Sequence, residues 1–315
     1  MRYLKNTEVT GEMDIAVFSD IHANFAAFQA CFDYCITKGI TRFILLGDYV
    51  TDCPFPQKTM ELLYMLQQHF ECVFIRGNRE QYLLNYRKNG EQGWKNGSGS
   101  GALLYTYEEL SVTDLNFFNS MPIYAECNKF APPFEVCHGS PQTIGELMMR
   151  DKRNTRKILA GLKTELLLHG HNHVPDSFEY RGKRCINPGS IGCPVGFEGL
   201  SQFMIIRSDG RDWTYENVQM EYDREAVYKA FEDSGLMERA PAWCALTMHT
   251  LRTGVDFSET VKLRAMQLCM EERGRAVWPD IPEVYWAIAL RERRIDLYGR
   301  ELPPPKARDH LNFFH

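Results

Sequence analysis

From Met13 to about residue 220, short apolar runs rich in β-branched and aromatic residues alternate with stretches of helical periodicity. The runs are Asp14 to Ser19, Phe43 to Leu46, Cys72 to Ile75, Phe134 to Cys137, Leu166 to Leu168 and Phe203 to Ile206. Between the first two, Phe25, Phe28, Cys31, Phe32, Cys35 and Ile36 recur at roughly helical spacing, with Gly39 as the stop. Such alternation predicts an α/β fold in which helices are layered on sheet. After residue 220 the pattern changes. Tyr222 to Ser234 (stopped by Gly235), Ser258 to Glu272 and Glu283 to Leu297 each read as an amphipathic helix.

Three parts follow: a polar, aperiodic leader over 1–12, an α/β domain over 13–220 and an α-helical C-terminal extension over 221–315. Charges in the extension nearly cancel, and Pro303-Pro304-Pro305 marks an extended end. Isolated amphipathic helices of this length are marginal in water, so the faces carrying Val227, Phe231, Val261, Met266, Trp286 and Leu290 require cover. Packing on the same chain, as a flank or lid near the active-site loops, is the expected solution. A homodimer formed through these helices is the alternative.

Composition narrows the function. The 315 residues hold 36 Lys and Arg against 41 Asp and Glu, a net charge of −5, which argues against a protein dedicated to coating nucleic acid. No run approaches the roughly 18 apolar residues that cross a bilayer, and the first residues lack a secretory apolar core. A cytoplasmic protein without a membrane partner is expected. Ten cysteines without a Cys-x-x-Cys pair read as reduced, mostly buried thiols, with Cys31 and Cys35 in the core.

The chemistry gathers at strand ends, where open α/β sheets assemble their sites. Five motifs sit there: Ser19-Asp20-Ile21-His22-Ala23-Asn24, Gly47-Asp48, Arg76-Gly77-Asn78-Arg79-Glu80, His138-Gly139, and Gly170-His171-Asn172-His173-Val174-Pro175. Singly, an Asp-x-His or Gly-Asp is an ordinary turn, and an Asn opening a helix is ordinarily its N-cap. Together, Asp20, His22, Asp48, Asn78, His138, His171 and His173 form a set of nitrogen and oxygen donors. That mixture suits Zn, Fe, Mn, Co or Ni rather than an all-oxygen calcium cage or a cysteine-rich structural zinc site. The remaining histidines, His69, His169, His249, His310 and His315, lack such partners and read as structural or surface residues.

In order and spacing, Asp20-x-His22, Gly47-Asp48, Gly77-Asn78-x-Glu80, His138 and Gly170-His171-x-His173 resemble the calcineurin-like metallophosphoesterases over about residues 13–220. The sequences SDIHAN and GHNHVP, with Asn187-Pro188-Gly189-Ser190, are most similar to a compact bacterial phosphodiesterase-like branch. The resemblance implies a four-layer α/β/β/α sandwich and two divalent ions, drawn from Mn, Fe, Zn, Ni or Mg. It implies Asp20, His22 and His173 at one ion, Asn78, His138 and His171 at the other, and Asp48 bridging them. Two cations about 3.5–4 Å apart repel, and a shared carboxylate relieves that repulsion. The implied reaction is hydrolysis of a small phosphodiester or phosphomonoester by a metal-bridging hydroxide, with Asn78, Arg79 and His138 as the catalytic set. A catalytically silent scaffold or regulatory binder that keeps the fold is the alternative, although such a chain is expected to shed ligands. A nuclease would want a basic track that this composition disfavours.

Two departures from the family pattern stand out. Many members carry His where this chain has Arg79, and a guanidinium cannot donate a proton near neutral pH. Arg79 is left either to stabilise phosphate charge or to pair with a carboxylate on its own helix. Phosphoprotein phosphatases continue the second motif as Gly-Asp-x-x-Asp-Arg-Gly, whereas this chain reads Gly47-Asp48-Tyr49-Val50-Thr51-Asp52-Cys53, without that phosphate-gripping Arg. A phosphoprotein phosphatase is therefore disfavoured. The loop from Lys88 to Ala102, with its Gly-Ser repeats, reads as flexible.

Overall fold

The computed structural model describes residues 13–304, so the 1–12 leader, Pro305, His310 and His315 lie outside the described residues. In chain order the elements are β1 (Met13–Phe18), α1 (Phe25–Thr37), β2 (Arg42–Leu45), α2 (Pro56–His69), β3 (Glu71–Phe74), α3 (Asn78–Lys88), α4 (Gly101–Glu109), α5 (Val112–Ser120), β4 (Tyr124–Cys127), β5 (Phe134–Cys137), α6 (Arg153–Ala160), β6 (Leu166–Leu168), β7 (Asp176–Tyr180), β8 (Lys183–Asn187), β9 (Ser201–Ser208) and β10 (Trp213–Met220). The helices α7 (Arg224–Asp233), α8 (Leu236–Arg239), α9 (Pro241–Thr253), α10 (Ser258–Arg273) and α11 (Glu283–Glu292) complete the chain.

Two five-stranded mixed sheets form, in the orders β10-β9-β1-β2-β3 and β4-β5-β6-β8-β7. Side chains of a strand alternate between faces, and β1 shows the consequence. Ile15 and Val17 join Ile44, Leu46, Val136, Leu168 and Ile186 in the apolar layer between the sheets. Ala16 and Phe18 turn outward and pack with Phe28, Cys31 and Phe32 of α1, Leu63 of α2 and Phe118 of α5. On the far side, Ile158 and Leu159 of α6 cover Cys137, Leu167 and Cys185. Helix, sheet, sheet and helix stack in that order, which is the α/β/β/α sandwich.

Strands β1, β2 and β3 run parallel, as do β5, β6 and β8. Their carboxyl ends therefore open on one edge, and every motif singled out in the sequence leaves the fold there.

The C-terminal helices lie on this chain's own core. Val227 and Phe231 of α7 pack with Cys244, Met248 and Leu251 of α9, against Ala23, Cys53, Tyr105 and Cys193 from the sandwich. A second cluster joins α9, α10 and α11 through Leu246, Val261, Tyr285, Trp286 and Leu290. Helix α9 escaped the sequence reading because it is buried nearly all round, so no polar face marks its period. The last helix ends at Glu292 rather than near Leu297. All ten cysteines are free thiols, nine of them buried.

The Gly-Ser loop is a correction. Ser98 donates through its backbone N–H and its hydroxyl to Glu283 of α11, and its hydroxyl also accepts the N–H of Ala242. A Cβ at Gly101 would lie 1.8 Å from the carbonyl oxygen of Arg239. Its glycines here serve close backbone approach rather than mobility.

Candidate metal centre

The loops after β1 and β2 are zipped together before any side chain is considered. The N–H groups of Asp20, His22 and Ala23 donate to the carbonyls of Gly47, Asp48 and Tyr49 at 2.9–3.0 Å. The loop after β8 braces the same turn, where Ile191 and Gly192 donate to the carbonyls of Ser19 and Asp20, and the Ser190 hydroxyl donates to the Asp20 carbonyl. Asn187 donates its amide to the Gly170 carbonyl and to Asn172, tying the loop after β6 into place.

This bracing holds a costly backbone. Asp20, His22, Asp48, His171 and His173 have φ of 54°, 50°, 54°, 75° and 58°, in the left-handed region that L-residues avoid at about 1–2 kcal/mol each. Strain concentrated on the donor residues is what a pre-organised site shows.

Asn78 does not cap its helix. Gly77 takes the N-cap position and frees the Asn78 side chain, whose Oδ1 lies 3.0 Å from His138 Nε2. Glycine is required at 77, because a Cβ would come within 2.2 Å of the Asp48 backbone nitrogen. The buried Glu80 carboxylate accepts the N–H groups of Gly77, Asp48 and Tyr49 and so fixes the second and third motifs together. Burial and the neighbouring Asp48 push its carboxyl up to about 7, against the pull of those donors.

The seven donors converge in two groups. In one, Asp20, His22 and His173 meet, with His22 Nε2 3.0 Å from His173 Nε2 and Asp20 Oδ1 3.3 Å from His173 Nε2. In the other, Asp48, His138 and His171 meet, with Asn78 beside His138. Asp48 faces both: its Oδ2 is 3.9 Å from His22 Nε2 and its Oδ1 is 3.5 Å from His138 Nε2.

Proton positions test whether these atoms fit a cation. His138 Nδ1 lies 2.7 Å from the Leu46 carbonyl, which can only accept, so the neutral ring turns the Nε2 lone pair towards Asn78 Oδ1 and Asp48 Oδ1. His22 Nδ1 faces the Asp52 Oδ2 carboxylate oxygen at 2.8 Å, and the ring's other nitrogen, Nε2, is turned towards His173. Asp20 Oδ2 accepts from the Ser19 hydroxyl and the His171 N–H, yet its buried Oδ1 has no hydrogen-bond partner. Lone pairs pointed at one another repel unless positive charge lies between them, and the electrostatics agree. Burial alone would lower the basicity of His138, but Asp48 and Asp20 raise it to about 9, so with no metal ion between them the ring takes up a proton in its place. Burial would raise Asp48, yet His138 and His22 bring it down to about 2. Asp20 is held well below the carboxylate range in spite of burial, chiefly by His173. Burial lowers His171 to about 4, leaving it neutral at pH 7 with a lone pair to offer. The donor set fits two cations of the borderline, N/O-preferring kind.

Arg79 lies on the cleft wall, but its partner is not on its own helix. The guanidinium is 3.0 Å from Asp52 Oδ2 and 5.7 Å from the centroid of the Trp243 ring, and Trp243 Nε1 donates to Asp52 Oδ1 at 2.7 Å. Burial would raise the Asp52 carboxyl, but Arg79 and His22 hold it well below its ordinary value. Asp52 and Trp243 were not legible as site residues. Asp52 sits in a turn with no motif of its own, and Trp243 belongs to the helix that carried no periodic signal. The other histidines stand apart: His69 is exposed at the end of α2, His169 is buried with its Nδ1 near the Gly170 carbonyl, and His249 is buried with its Nδ1 near the Gly299 carbonyl.

Residues 13–184 match the family model described as calcineurin-like phosphoesterase. An uncharacterized protein of Methanocaldococcus jannaschii, MJ0912, is 27% identical over 246 residues, which cover 73% of this chain and 94% of that protein. Among solved structures, a hypothetical protein of Pyrococcus horikoshii OT3, PH1004, superposes with a TM-score of 0.64 at 21% identity, covering 78% of this chain and 99% of that one. A metallophosphoesterase from Sphaerobacter thermophilus gives 0.58 at 22% identity, covering 77% and 100%. At these identities the two structures speak to the fold. No helix among the described residues is long and apolar enough to cross a membrane.

Proposed function

The chain belongs to the calcineurin-like phosphoesterase family, and on that ground we propose that it is a hydrolase of phosphate esters that works with two divalent cations. Asp20, His22 and His173 would hold one cation and Asn78, His138 and His171 the other, with Asp48 placed between the two groups. The observation that carries this reading is the position of Asp48, with one carboxylate oxygen turned to His22 and the other to His138. When bound, two such cations supply charge that stabilises the phosphoryl oxygens and acidify a water for attack on phosphorus.

The rest of the site is the protein's own work. The Leu46 carbonyl fixes the tautomer of His138 and the Asp52 carboxylate sits against His22 Nδ1, as supporting groups around metal ligands commonly do. Arg79 presents a permanent positive charge to the cleft and orients an ester phosphate by a charge-assisted hydrogen bond. It cannot protonate a leaving group, so the departing alcohol takes its proton from water. A silent scaffold would have no use for seven converging donors, five of them on strained backbone.

The test is hydrolysis of bis-p-nitrophenyl phosphate and p-nitrophenyl phosphate by the full chain, stripped with chelator and reloaded with Mn, Ni, Zn or Mg. Activity lost on stripping and regained on reloading supports the reading. Inactivity towards both esters with every metal contradicts it.

A further inference from the structure

The cleft at the donor groups has two lobes. One, of about 680 Å³, reaches past His22 and Asp48 to walls that include Leu147, Met149 and Val174. The other, of about 660 Å³, is walled by Tyr82, Leu103, Leu263, Met266 and Trp278. Asn78, Arg79, His171 and Trp243 line both, so the lobes meet beside the second donor group and the Arg79 guanidinium.

We propose, on the basis of the phosphoesterase reading, that the substrate is a phosphodiester. Its phosphate lies at the junction, one arm occupies the first lobe, and an aromatic or alkyl second arm fills the lobe lined by Tyr82, Leu263 and Trp278. A phosphomonoester has one organic substituent and would leave one lobe facing water. In the second lobe that would be expensive in exposed apolar surface, since Tyr82, Leu263 and Trp278 are 41%, 54% and 42% exposed within one concavity. Large apolar side chains that line a concavity beside convergent polar groups are the usual form of a ligand site.

Charge points the same way. Apart from the donor set, the lobes present Asp52, Asp151, Asp176, Asp256 and Glu259 against the cations Arg79, Arg150 and Lys262. Arg79, Arg150 and Lys262 are already paired with Asp52, Asp176 and Glu259. Such a cleft suits the single charge of a diester better than the higher charge of a monoester. Trp243, Leu263, Met266 and Trp278 all lie beyond the 13–184 stretch that matches the family, so the C-terminal extension supplies part of the second lobe's wall and Tyr82 and Leu103 of the sandwich supply the rest. In the reaction a water oxygen bonds to phosphorus, the P–O bond to one arm breaks, and that arm leaves as an alcohol with a proton from the water. The products are one alcohol and one phosphomonoester.

The test compares kcat/KM on bis-p-nitrophenyl phosphate and p-nitrophenyl phosphate for the full chain loaded with Mn and for Tyr82→Ala/Leu263→Ser. Both changes are neutral and at exposed positions, so the charge at the junction is kept; equal melting temperatures check the fold. The wild-type chain should favour the diester by about tenfold or more, and the double variant should lose most of that preference, falling several-fold further on the diester than on the monoester. A wild-type preference for the monoester overturns the proposal without the use of any variant. Equal losses on both esters also overturn it, and neither result touches the phosphoesterase reading. That reading fails separately, and takes the proposal with it, if the wild-type chain cleaves neither ester.

Discussion

The Asp52 carboxylate lies 3.0 Å from the Arg79 guanidinium, joining the loop after β2 to the first turn of α3 across the mouth of the candidate metal centre. The same Oδ2 faces His22 Nδ1 at 2.8 Å, so one carboxylate contacts both an imidazole of the donor set and the cleft's permanent cation. Asp52→Asn keeps the shape and removes the charge. It should weaken metal binding at the His22 group by ~10–100-fold, the usual cost of losing a supporting group around a metal ligand. Metal titration of the folded variant checks this, and unchanged affinity at both sites would assign Asp52 to packing alone.

Arg79→His places an imidazole beside the donor set. The ratio of monoesterase to diesterase activity should rise, because a group able to protonate a poor leaving group is introduced while the guanidinium that orients the diester phosphate is lost. Rates on phenyl phosphate and diphenyl phosphate, whose phenolate is a poorer leaving group than p-nitrophenolate, measure the ratio. An unchanged ratio would leave Arg79 with no role beyond its pairing to Asp52.

Glu80→Ala should be more damaging to folding than its lack of contact with substrate suggests. The change leaves the N–H groups of Gly77, Asp48 and Tyr49 without their acceptor in a buried site, at about 1–3 kcal/mol for each unsatisfied group. Thermal denaturation should show a large loss of stability or a failure to fold. A variant as stable as the parent would mean that these groups find water.

Acid should destabilise the metal-free chain through Asp20, Asp48 and Asp52. Each has a folded pKa below its ordinary value, so each contributes stability that is full above the usual carboxylate range. That contribution falls as pH drops from about 4 towards 2. Urea midpoints measured from about pH 4 down to about pH 2, below the range in which Glu80 and His171 titrate, should decline, and Asp52→Asn should decline less steeply. The opposite trend would show that these carboxylates are not held ionised by their neighbours.

Much of the site was legible because its donors lie next to strand ends in short motifs whose order carries the information. Asp20, His22, Asp48, Asn78, His138, His171 and His173 leave the ends of β1, β2, β3, β5 and β6, and the fold brings those ends to one edge. Other features depended on contacts far apart in sequence. Asp52 is named only by reaching Arg79, and Trp243 only by reaching Asp52 from a helix 191 residues away. Strands β7 and β10 were missed because their edge positions leave polar side chains such as Glu179, Thr214 and Glu216 on exposed backbone. The Gly-Ser loop reads as flexible in sequence, and only the arrival of Glu283 and Arg239 shows why its glycines hold one shape.

The count of bound metal per chain bears most directly on the shared carboxylate. Elemental analysis of the full chain, equilibrated with saturating Mn and freed of excess ion, should give two ions per chain. Asp48→Asn should weaken both sites, whereas His22→Ala should weaken chiefly one. At most one ion per chain at saturation, or slight and equal effects of the two substitutions, would contradict a pair of cations held across Asp48.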